Sequence, residues 1–181
     1  MVVKGMKKSN WLCMGVLVAT VSVGCAARSS VATTDPLSAD ISPYSTIVID
    51  MQNSLEDADE RSDALRNLNL QVLTQVTATG LFSDVRMGDG AAEEAGVLLM
   101  RVNVTSLREV GSAARFIGGV FAGRAGTTME IDLIDAQSGD VLESQEVTGQ
   151  SGGAAISGGT GDALEQAGNA VARWLSGDAA E

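Results

Sequence analysis

Apolar and polar positions change their period along this chain, and each period predicts an element. Residues 46–51, Thr46-Ile47-Val48-Ile49-Asp50-Met51, are an apolar run rich in β-branched side chains, the mark of a strand. After the acidic stretch at 55–63, Leu65, Leu68, Val72, Leu73 and Val76 recur at the spacing of one buried helical stripe. Gly80 supplies a residue able to take the left-handed conformation that closes a helix, and Leu81 and Phe82 can fold back on its last turn. Residues 97–107 alternate, with Leu98, Met100, Val102 and Val104 on one face and Arg101, Asn103 and Thr105 on the other, so one face is covered and the other wet.

Residues 127–135 alternate in the same way, Met129, Ile131 and Leu133 against Thr128, Glu130 and Asp132. Ala136-Gln137-Ser138-Gly139-Asp140 is turn chemistry, and residues 141–148 return as the second strand of a hairpin. Near the end, Asp162 with Glu165 three residues on reads as an N-cap, and Leu164, Ala167, Val171, Trp174 and Leu175 form the stripe behind it. These elements predict an α+β fold: a small two-layer domain in the order β-α-β-β-β-α, with a mostly antiparallel sheet and both helices on one face. The domain occupies residues 46–176, and 177–181 are expected to be a disordered tail.

The chain before this domain carries an address. Lys4, Lys7 and Lys8 precede an uncharged run from Asn10 to Gly24 that is too short for a stable membrane span, so residues 1–24 read as a secretory leader. The leader ends in Val21-Ser22-Val23-Gly24-Cys25, which resembles a bacterial lipoprotein box. That resemblance implies lipid on Cys25 and, because Ala26 rather than aspartate follows, the periplasmic face of the outer membrane. Several acyl chains anchor firmly, at about 0.8 kcal/mol per buried methylene. Residues 25–45, poor in large apolar side chains and broken by Pro36 and Pro43, are expected to form a flexible tether about 25 Å long on average and at most about 70 Å when stretched.

Composition narrows the chemistry. All three lysines lie in the leader, so from Cys25 onward nine arginines face 23 acidic residues, a net charge of −14. Nucleic acid is therefore a poor partner on electrostatic grounds. Histidine is absent, and the two cysteines, Cys13 and Cys25, belong to the leader or its end. The domain thus lacks the side chains for thiolate or imidazole metal sites, for a cysteine nucleophile, for a Schiff-base lysine or for a histidine general base. No cofactor and no metal is expected. Asp57, Asp59 and Asp63 begin a calcium-like spacing, but Ser62 and Leu68 stand where the loop needs glycine and glutamate.

One stretch remains open. In ARFIGGVFAGR (114–124), Phe116, Ile117, Val120 and Phe121 fall at helical spacing in spite of two glycines, rimmed by Arg115 and Arg124. It fits neither phosphate-loop pattern. It is either a cap packed on the core or a partly exposed surface, Arg115, Phe116, Ile117, Val120, Phe121 and Arg124, that binds a partner, a second copy or the membrane face.

The segments Arg115-Phe116-Ile117-Gly118-Gly119, Gly123-Arg124-Ala125-Gly126 and Asp135-Ala136-Gln137-Ser138-Gly139 resemble the bacterial lipoprotein family DUF4410, over residues 106–175. More distantly, the order of elements and the helix ending Thr79-Gly80-Leu81-Phe82-Ser83-Asp84-Val85 look like the small α/β domains of periplasmic assembly lipoproteins. That likeness implies a non-enzymatic accessory or assembly module acting through an envelope protein partner or self-association. A small-ligand or lipid-binding module is the alternative, and a carboxylate-based envelope enzyme a more distant one.

Overall fold

A computed structural model describes residues 31–33, 35–89, 94–110, 123–152 and 159–177. The elements run β1 (Val31–Thr33), β2 (Thr46–Asn53), α1 (Ser62–Ala78), β3 (Asp84–Met87), β4 (Val97–Arg108), β5 (Gly126–Asp135), β6 (Val141–Gln150) and α2 (Thr160–Leu175). The six strands form one sheet in the order β1-β6-β5-β4-β2-β3. It is α+β as expected, but the sheet is mixed rather than mostly antiparallel: β2 pairs in parallel with both β3 and β4, and the other three pairings are antiparallel. α1 accounts for β3, since a helix between two strands returns the chain to the end it started from and makes the next strand parallel; the connection from β3 to β4 returns the chain to that end once more, which makes β4 parallel to β2 as well.

Two strands are additional to the expected order. In β3 only Val85 is half-buried, so it carries no alternation to read. The other, β1, lies in the stretch expected to be tether, and pairs with β6 through Val31↔Gly149, Ala32↔Thr148 and Thr33↔Val147. Residues 35–45 also lie against the domain, with Leu37, Ile41 and Tyr44 packed on the main core. The Glu143 carboxylate accepts hydrogen bonds from the Ser38 amide and hydroxyl and from the Ala39 amide, the last at 2.7 Å.

The core sits between the helices and one face of the sheet. Ile47, Ile49, Leu98, Met100, Val102, Val104, Met129, Ile131, Leu133 and Val147 meet Leu68, Val72 and Val76 of α1 and Leu164, Ala167, Val171 and Trp174 of α2. The stripe of α2 and both alternating strands are therefore buried as the sequence predicts; in α1 Leu68, Val72 and Val76 are buried and Leu65 and Leu73 partly so, and Gly80, at φ 66°, follows the end of the helix. A register shift between Val104 and Ser106 reverses the alternation of β4, so that Leu107 rather than a neighbour of even number turns inward. At Gly149 a side chain would collide with the Ala163 carbonyl and the Ala167 amide of α2, so the missing Cβ lets the helix lie directly on β6. The cap of α2 is not Asp162 but Gly159, without a side-chain bond; Asp162 stands in the first turn and accepts from the Gly152 amide at 3.1 Å.

Candidate functional site

With both helices on one face, the opposite face of the sheet is, among the described residues, left to its own side chains. Its apolar portion is a small cluster of Val48, Val97, Leu99 and Ile134. Beyond that cluster the outward positions of β2, β4, β5 and β6 form two cross-strand rows. Pairing aligns Asp50, Arg101, Asp132 and Ser144 in one row, and Gln52, Asn103, Glu130 and Glu146 in the next.

The rows line a groove of about 530 Å³. Asp50, only 8% exposed, accepts from Gln52 Nε2 at 2.9 Å and lies 3.8 Å from Arg101 Nε. Ser144 donates to Asp132, and Ser54 donates to Asn103 Oδ1 at 2.9 Å. Glu130 and Glu146 are exposed and directly opposite each other. Among the described residues neither has an ion-pair partner. Like charges facing across a strand pair destabilise it. The groove is thus, among the described residues, an acidic, hydrogen-bonding surface with one ion pair at one end, its Asp50 buried and its Arg101 half-exposed, and unbalanced carboxylates at the other.

A smaller pocket of about 310 Å³ lies between residues 37–42 and the helix ends, lined by Leu37, Ile41, Leu81, Phe82 and Leu175. At the rim of the domain, Tyr44 donates to Asp135 Oδ2 at 2.7 Å. Burial first, and then the hydrogen bond and charge of Asp135, push the Tyr44 hydroxyl up to about 12. Asp135 is held below the usual carboxylate range by the Ser138 amide and then by Tyr44. Among the described residues no three acidic side chains converge to hold a metal ion, and no helix is long and apolar enough to cross a membrane. The acidic stretch at 55–63 is occupied otherwise: Arg61 bonds Asp57 at 2.7 Å and lowers its pKa, and Arg66 lies 3.2 Å from Asp63.

Of the residues singled out in the sequence, Cys25, Arg115, Phe116, Ile117, Val120 and Phe121 lie outside the described residues. Arg124 is described and exposed. The flanks of residues 111–122 are rooted together: Val110 and Ala125 bury against Ala163, the Val110 amide donates to Thr160 Oγ1, and the Ala125 amide donates to Ser151 Oγ. The groove is a different place, built from outward residues that alternation exposes but does not bring together, because neighbouring strands must first be assigned.

The model of the family DUF4410, a domain of unknown function, matches residues 30–155. The chain belongs to the DUF4410 family. The match includes every strand of the DUF4410 sheet and α1, and stops short of α2. No curated protein sequence matches the chain. Among solved structures, two of PelC from Paraburkholderia phytofirmans, each a dodecamer, share the fold at 20% identity. Their TM-scores are 0.52 and 0.51, they cover 79% and 82% of this chain, and 96% of the PelC chain is covered in both. A Xanthomonas campestris protein of family DUF330 is similar at 14% identity and a TM-score of 0.45, over 74% of this chain and 82% of its own.

Proposed function

We propose that this chain is an envelope lipoprotein held at the periplasmic face of the outer membrane by lipid on Cys25. It works as a non-enzymatic accessory or assembly module, by protein contact through the open face of its sheet. The observation that carries the contact reading is the groove, where exposed Glu130 and Glu146 oppose each other with no cation between them among the described residues. An arginine or lysine from a docked protein would relieve that repulsion and gain two carboxylate partners. The leader with its lipoprotein-like box supports the location, and the lack of lysine, histidine and cysteine beyond Cys25 supports a role without catalysis.

A second reading, self-association into a ring or other closed oligomer, is favoured by the dodecameric state of the PelC chains that share the fold. Fold alone does not carry function, so the oligomer must be measured. Two experiments test the proposal. Palmitate labelling and fractionation should show the wild type in outer membranes and Cys25→Ser unlabelled and released. Crosslinking of the full-length protein in cells, followed by mass spectrometry, should give adducts from the open face to an envelope protein or another copy. Adducts confined to the helical face would overturn the contact reading.

A further inference from the structure

Residues 35–45 leave an unusual record for a segment whose composition suits a tether. Their apolar side chains Leu37, Ile41 and Tyr44 are only partly buried, and a pocket of about 310 Å³ separates residues 37–42 from the ends of both helices. Ser45 is tied to the body of the sheet, donating to the Gly96 carbonyl and accepting from Ser83 and Asp84, whereas the side-chain bonds that hold residues 38–44 are concentrated on one hairpin. Glu143, near the start of β6, accepts from Ser38 twice and from Ala39 once. Asp135, at the end of β5, accepts from the Tyr44 hydroxyl through Oδ2 while its Oδ1 accepts from the Gln137 and Ser138 amides. Both anchors therefore sit at the tip of one hairpin, and the Asp135-to-Gly139 turn is stapled to the segment by its own capping carboxylate. Gly139, at φ 77°, closes that turn.

We propose that residues 31–33 and 35–44 are a releasable strap and that the β5–β6 hairpin tip is its catch, so that docking sets how far the domain reaches from its lipid anchor. This rests on the anchoring reading above. With the strap docked and β1 paired, only residues 26–30 separate Cys25 from the domain, a reach of at most about 17 Å. With the strap released, the chain is free as far as residue 44 and the reach rises to about 65 Å. A three-residue strand, partly buried apolar contacts and side-chain catches on a hairpin tip place this segment at the low-stability end of the fold. The difference in reach decides which envelope proteins the open face can touch.

The test uses the full-length lipidated protein in vesicles, with a donor dye on Leu70→Cys, an exposed position of α1, and acceptor lipids in the bilayer. Wild type should show strong energy transfer and slow amide exchange at residues 35–44. Glu143→Ala combined with Ile41→Asp should lose that protection and cut the transfer several-fold, while Trp174 emission stays that of the folded domain. Glu143→Gln alone, the milder change, should fall between them. Flotation with unchanged transfer in the double variant overturns the strap proposal and leaves anchoring standing. Failure of wild type to float with vesicles overturns the anchoring reading and the reach proposal with it. Unfolding of the double variant leaves Glu143→Gln to decide: unchanged exchange at 35–44 in that variant overturns the catch.

Discussion

At the scale of single residues, Tyr44 offers the cleanest readout, because it is the only tyrosine in the chain. Its hydroxyl is raised to about 12 by burial and Asp135, and Asp135 is lowered by the Ser138 amide and Tyr44. A raised phenol stabilises the contact fully below the ordinary value near 10 and loses it as pH climbs through about 12. A lowered carboxylate stabilises above its ordinary value and loses it as pH falls through the lowered one. The contact is thus constant across the neutral range and fails at both extremes. Ultraviolet titration of the phenolate should give a midpoint near 12 in wild type, moving toward 10 in Asp135→Asn. A wild-type midpoint near 10 would mean that Tyr44 stands free. The opposed pair in the groove gives a second prediction: Glu130→Arg should raise the stability of the isolated domain by about 0.2–1 kcal/mol by turning repulsion into attraction. The same variant should weaken the contact that the open face makes in cells, a gain in stability at the expense of function. Glu130 was readable as outward-facing in the sequence. The face of Glu146 and its opposition to Glu130 were not, because they depend on the register of β5 against β6.

At the scale of elements, the long periodic segments were legible and the short ones were not. The alternation of β4 and β5 and the stripes of α1 and α2 each give an unambiguous period, and each faces the core, with Leu65 and Leu73 of α1 only partly buried at its edge. The short strands β1 and β3 have no period to read, and their places come from pairing with β6 and β2. Asp162 misled because a carboxylate serves equally at a cap or in the first turn; here the chain enters the helix one turn earlier and Asp162 bonds Gly152 instead. Packing between elements can be tested at two points. Leu68→Ala, in the fully buried stripe of α1, should cost about 2–5 kcal/mol. Gly149→Ala should lift α2 from β6 and cost about 1–3 kcal/mol through overpacking. Urea unfolding followed by the emission of buried Trp174 measures both, and an unchanged midpoint for Gly149→Ala would contradict the close approach of helix and sheet.

At the scale of the whole molecule, the two faces of the sheet differ. Helices and sheet enclose the apolar side chains, while no described element covers the polar rows of β2, β4, β5 and β6, the face proposed for contact. The α+β class and the helices on one face followed from the pattern of elements. The mixed sheet required the further step of placing α1 between parallel strands. The glycine-rich stretch at 114–124, the sequence's most conspicuous feature, lies mostly outside the described residues, so the groove and not that stretch carries the functional reading. The most direct test of that reading is a photo-crosslinking amino acid at Asn103, in the middle of the groove, compared in living cells with one at Leu70 on α1. The account predicts a reproducible protein adduct from position 103, either to one envelope protein or to a second copy, that Glu130→Arg abolishes. An adduct from position 70 alone, or one from 103 that survives Glu130→Arg unchanged, would contradict it.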